Sequence, residues 1–159
     1  MRKPVAIKMI KEAFHRDRIA LVVSFLIGAG AILFQLCPRK INNYTDVMSA
    51  SLSFSSIATA FLFAVFSIIP GNTSSELLIK LREMNTDLKL MSRLLVATAA
   101  FFSSSVLSFA ELFFNVKDTS WLSIIITSVW LLTIALGIIE TIILIFFLFL
   151  VLGNMFQER

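Results

Sequence analysis

Four long apolar runs, at 19–37, 47–69, 94–115 and 121–152, occupy most of this 159-residue chain. That feature decides the solvent in which the chain folds. A hydrocarbon core of about 30 Å is crossed by roughly 20 residues at a helical rise of about 1.5 Å, and each run is of that order. Only Glu111 and Glu140 put formal charge inside them. A soluble chain that is 58% hydrophobic, with 16 Phe, would be coated in apolar surface. The runs are continuous, whereas lipid-facing strands alternate in polarity, so a β-barrel is not expected. The expectation is an all-α polytopic membrane protein: one domain, 1–159, with four transmembrane helices.

Basic residues resist translocation and mark the cytoplasmic side. Eleven of the fourteen fall on one side of the implied topology: Arg2, Lys3, Lys8, Lys11, Arg16 and Arg18 at the start, Lys80, Arg82, Lys89 and Arg93 in the middle connection, and Arg159 at the end. Arg39, Lys40 and Lys117 take the other side. This predicts a multi-pass inner-membrane protein with both termini and the 71–93 connection in the cytoplasm, its net charge of +4 concentrated where anionic lipid or an acidic partner would meet it. A cleaved signal peptide ending near Ala29-Gly30-Ala31 is the rival reading of the first run. It is disfavoured because the apolar stretch continues through Ile32-Leu33-Phe34. The lone Cys37 has no intramolecular partner; it reads as a soft apolar side chain near the outer interface, with an intermolecular bridge as the alternative.

Two extramembrane segments carry helical patterns. In 1–18, Ile7, Ile10 and Phe14 form one stripe and Lys8, Lys11, His15 and Arg18 another, the pattern of an interfacial amphipathic helix. Its basic residues, Lys8, Lys11, Arg16 and Arg18, either hold the inner leaflet or dock a cytosolic partner. After Pro70-Gly71, Thr73 and Glu76 form a capping box, and Leu77, Leu81, Met84, Leu88, Met91 and Leu95 repeat at intervals of four and three into the third run. This predicts a cytosolic helical extension over 71–93. Its Lys80, Arg82 and Lys89 face lipid or a partner, and its apolar stripe packs on the chain's own helices or on another subunit.

Within the membrane, helices associate where small residues admit close approach or hydroxyls bond. Ser49, Ser53, Ser56, Ala60, Ala64 and Ser67 form such a stripe on the second run, Ala20, Ser24, Gly28 and Ala31 on the first, and Ala100, Ser104, Ser108 and Glu111 on the third. Tight packing is the ordinary reading of these stripes, and a hydrated pathway lined by serines the functional one. The strongest site candidates are Glu111 and Glu140, since an ionised side chain in hydrocarbon must meet a partner, water or a proton. Thr133, Gly137 and Glu140 share a face, turning that carboxylate toward a helix contact. Its depth depends on whether Trp121 or Trp130 anchors the fourth run at the outer interface. No Lys or Arg lies inside the runs, so protonation, hydroxyl bonding or inter-subunit contact is expected at both carboxylates.

The chain has no metalloprotease His-Glu spacing, no Gly-x-Ser-x-Gly elbow, no Gly-rich phosphate loop, no Cys/His cluster and no paired intramembrane aspartates. An enzyme, a cofactor, a metal site and direct nucleic-acid binding are therefore not expected. Four spans, cytoplasmic termini, short outer loops and the helical segment Thr73 to Arg93 resemble the membrane component of the Kiwa bacterial anti-phage system. That resemblance implies an inner-membrane homo-oligomer that detects phage attack and holds a cytosolic effector; it carries over no individual residue. Holins and other small pore-forming proteins share much of the plan. The expected function is thus a non-enzymatic sensor and scaffold that recruits a cytosolic protein, and the alternative is a small ion channel or holin-like pore.

Overall fold

The computed structural model describes residues 18–71, 87–115 and 119–157. They form four helices: α1 (Arg18–Leu33), α2 (Tyr44–Gly71), α3 (Asp87–Glu111) and α4 (Trp121–Gln157), with a 3-10 turn at Pro38–Lys40 between α1 and α2. Three segments are long and apolar enough to cross a membrane: Tyr44–Phe66, Leu90–Glu111 and Trp121–Phe146. The apolar part of α1, Ala20–Leu33, is shorter, and α1's 16 described residues reach about 24 Å. The expected amphipathic helix over 1–18, with Lys8, Lys11 and Arg16, lies outside the described residues except for its last position, as do the Thr73–Glu76 capping box, Lys80 and Arg82.

Local chemistry sets the helix ends. α1 stops where Gln35 turns left-handed (φ 49°), with the Leu36 N–H donating to the Ala31 carbonyl and the Gln35 N–H to that of Ile32, both at 2.9 Å. This is a Schellman closure, and Pro38 follows it. Lys40 adds a 2.7 Å bond from its Nζ to the Phe34 carbonyl. α2 runs to Pro70-Gly71, where the sequence predicts a stop. α4 opens on Ser120, whose Oγ accepts from the Ser123 N–H at 3.3 Å. α3 begins at Asp87, so the end of the expected cytosolic connection, Asp87 to Arg93, is already continuous with the third span.

The helices pack side by side in the order α1, α4, α3, α2. The small-residue stripes predict the contact faces of α1 and α3: Ala20, Ser24, Gly28 and Ala31 are buried, and so are Ala100, Ser104, Ser108 and Glu111. A Cβ added at Gly28 would lie 3.0 Å from Leu132 Cβ, and one at Gly137 would lie 3.1 Å from the Phe101 ring. These two glycines let α1 and α3 come close to α4. The expectation for α2 is corrected. Ser49, Ser53, Ser56, Ala60 and Ala64 are exposed, and α2 packs through Tyr44, Met48, Ser51, Ser55 and Leu62 instead. Small size permits close approach on either face; hydrogen-bond complementarity selects the second.

Burial is inverted relative to a water-soluble domain. The buried set includes Ser24, Ser51, Ser55, Ser104, Ser108, Glu111, Thr127, Ser128 and Glu140, while Phe25, Leu26, Phe61, Phe63, Phe109 and Phe146 point outward. Such a surface suits hydrocarbon, where apolar side chains lose nothing by exposure and backbone and hydroxyl groups must be satisfied inside.

Candidate functional site

The buried polar groups form two separate junctions, one toward each end of α3. At the first, α2 begins on Tyr44 and α3 ends on Glu111, which brings a phenol and a carboxylate together in antiparallel helices. The Tyr44 hydroxyl donates to the Glu111 carboxylate, and it lies 3.0 Å from the Glu111 carbonyl. Thr127 of α4 donates to the other carboxylate oxygen at 2.8 Å. Glu111 is completely buried, so one side chain ties three helices together.

The junction continues along α3. The Trp130 indole N–H reaches Ser108 Oγ at 2.8 Å and Ser51 Oγ at 3.0 Å, and those two hydroxyls are 2.9 Å apart. One turn further, Ser55 donates to Ser104 at 3.2 Å. Tyr44, Met48 and Trp130 form the apolar packing around this seam. Trp130 is therefore a buried strut, whereas Trp121 at the start of α4 is 67% exposed and suits an interfacial anchor.

The second junction corrects the expectation that no basic residue can meet either glutamate. Arg93 Nη1 lies 3.2 Å from Glu140 Oε2, forming an ion pair in which Glu140 is fully buried and Arg93 is 21% exposed. The pattern of basic residues places Arg93 in the connection, but α3 already includes it, and its long side chain reaches Glu140 of α4. Around the second junction Leu62, Leu90, Leu94, Ala97, Phe101 and Leu144 close the interior with apolar side chains. Glu140 and Thr127 are 13 residues apart on α4, about 20 Å along its axis, so the two carboxylates do not share a site.

Chemically, both junctions hold helices. The indole N–H can only donate, and none of the paired serines has a basic partner that would activate its hydroxyl. Among the described residues no group of three His, Cys, Asp or Glu could hold a metal ion. Cys37 is buried, as its reading as a soft apolar side chain requires. Ser49, Ser53 and Ser56 join neither junction; Ser53 only turns back to the Ser49 carbonyl at 3.0 Å. The side chains of Arg18 and Lys89 are outside the described set. Sequence reasoning singled out Glu111, Glu140, Ser104 and Ser108 but missed Tyr44, Ser51, Ser55, Thr127 and Trp130. The available signal was the spacing Tyr44, Met48, Ser51, Ser55, as regular as the stripe chosen on α2. Comparison with known protein families, with curated proteins and with solved structures finds no match.

Proposed function

We propose that this chain is a non-enzymatic, homo-oligomeric inner-membrane protein that senses a membrane or envelope event and scaffolds a cytosolic effector. The layout it resembles, that of the Kiwa membrane component, makes anti-phage defence the proposed setting. In this reading α1 is a fourth span and both termini are cytoplasmic. The observation that carries the proposal is the use of the intramembrane carboxylates. Glu111 and Glu140 are both fully buried, and each is bonded to a neighbouring helix. A chain whose membrane charges clamp its own helices suits holding a shape and presenting a cytosolic face better than conducting through a single subunit. Eleven of fourteen basic residues lie on the proposed cytoplasmic side, and ten of them, all but the Arg93 paired with Glu140, supply that face.

The alternative, a channel or holin-like pore, draws on the exposed hydroxyls of Ser49, Ser53 and Ser56, which an assembly of several copies would be able to turn toward water. One experiment separates the two. Reversal of Lys80 and Arg82 to Glu leaves the spans untouched, so the scaffold reading predicts normal membrane levels with loss of the co-purifying cytosolic protein and of biological activity. Normal activity of the reversed chain, or depolarisation of cells by the wild type alone, would give the function to the pore.

A further inference from the structure

The two membrane carboxylates are held in different ways. Glu140 meets a cation, whereas fully buried Glu111 meets two hydroxyls, Tyr44 from α2 and Thr127 from α4, and no ion pair reaches it among the described residues. The charged groups of the packed elements face elsewhere. Asp46 on α2 and Arg39 before it are exposed, Lys40 is bonded to the Phe34 carbonyl, and the titratable Cys37 is buried in the same turn. No residue of 94–110 on α3 or of 121–139 on α4 is charged. Lys117 and Asp118 follow α3, outside the described residues. A carboxyl at membrane depth without a cation is the setting in which protons are bound and passed on.

The phenol has a second acceptor within reach. Its oxygen lies 3.0 Å from the Glu111 backbone carbonyl as well as being bonded to the carboxylate. That carbonyl already accepts the Phe114 N–H at 3.0 Å, and its second lone pair is open to the phenol. A phenol carries one proton and also accepts. With Glu111 ionised, Tyr44 donates to the carboxylate. With Glu111 protonated on that oxygen, the acid O–H donates to the phenol oxygen and the phenol proton turns to the carbonyl. Thr127 donates to the other carboxyl oxygen, at 2.8 Å, and that oxygen accepts in either state. The hydroxyls of Thr59, Thr98, Thr133 and Thr141 turn back onto their own helices; Thr127 instead gives its proton across to α3. The junction thus satisfies every buried group whether or not the proton is present. Glu111 is the last residue of its span and Tyr44 the first of its own, which places the carboxyl at the membrane edge, beside the short connections 34–43 and 112–120.

We infer that Glu111 is a reversible proton-binding site, with Tyr44 as the partner that redirects its hydroxyl when the proton arrives. The proton comes from water on the side of the short connections and adds to the carboxylate oxygen facing Tyr44. One O–H bond forms there, and no covalent bond of Tyr44 breaks. Loading neutralises the junction while α2, α3 and α4 stay tied. The assignment rests on the membrane reading of the chain and not on the sensor or pore reading.

Tyr44 is the only tyrosine of the chain, which makes the test specific. Infrared difference spectra of the full chain in lipid bilayers are recorded as the pH falls from about 9 to about 4, a range that brackets the ordinary carboxylate values. The expected result is a carboxylic-acid C=O band that appears reversibly and is missing from Glu111→Gln. With ring-deuterated tyrosine, the label-sensitive bands should change over the same pH interval, because the phenol changes its acceptor. Absence of any titrating acid band, or acid bands that all survive in Glu111→Gln, overturns the site. A Glu111 band that titrates with no change at Tyr44 overturns it as well. Should the glutamine variant fail to fold, the labelled wild type decides. Acid and tyrosine bands that change in step support the site, and tyrosine bands silent over the whole range overturn it.

Discussion

The Arg93–Glu140 pair is the most testable residue-level feature, because its two members sit in unequal surroundings. Glu140 is fully buried and Arg93 is partly exposed. Removing the arginine breaks a buried ion pair, which costs on the order of 3 kcal/mol, whereas replacing both partners with apolar residues is often close to neutral. Arg93→Met should therefore lower thermal stability in detergent clearly more than the double change Arg93→Met, Glu140→Leu. Equal losses would mean that the pair contributes nothing beyond packing. The sequence made both glutamates legible as sites, since a charge in an apolar run demands a partner. It did not make their partners legible. Arg93 lies within reach only because α3 starts at Asp87, a boundary that hydropathy blurs, and the Tyr44–Glu111 bond spans 67 positions.

Among the helices, glycine separates the tight contacts from the loose ones. A Cβ at Gly137 would press on the Phe101 ring, which also makes an edge contact with Phe54 at 5.6 Å between centroids, while one at Gly30 meets nothing within 4 Å. Gly137→Leu should push α3 and α4 apart and destabilise by about 1–3 kcal/mol, the usual range for overpacking. Gly30→Ala should be neutral or stabilising by up to about 1 kcal/mol through helix propensity. Melting curves of the two variants in the same detergent test this, and equal curves would mean that the glycine at the Phe101 contact is no tighter than the open one. The elements themselves were readable because long apolar runs bounded by Pro70-Gly71 and by the short loops leave few alternatives. The face of α2 was not. Ser49, Ser53, Ser56 and Tyr44, Met48, Ser51, Ser55 have equivalent helical spacing. The choice between them is made by Trp130, Ser104 and Ser108, which lie on other helices.

For the whole molecule, two small-residue stripes, those of α1 and α3, are buried within one chain and the third, on α2, is left on its surface. That separates assembly from folding. If copies meet through Ser49, Ser53 and Ser56, then Ser53→Leu with Ser56→Leu should lower the oligomer mass in detergent and leave each subunit's helicity intact. Ser55→Leu should instead damage the subunit itself, because Ser55 is fully buried against Ser104. An unchanged mass in the first variant would assign that face to lipid.

The serine pairs between α2 and α3 also restrict how these helices can move. Ser51 faces Ser108 and Ser55 faces Ser104, so a small slide breaks both bonds before it makes another. The next aligned arrangements are a full turn away, about 5.4 Å: in one direction Ser51 would meet Ser104 and Ser55 would meet Ala100, and in the other Ser55 would meet Ser108 and Ser51 would meet Leu112. Either position recovers only one of the two bonds. Displacement along this seam is therefore stepwise, like a ratchet with unequal teeth. A pull on α2 would arrive at its far end as a change of notch instead of a graded stretch.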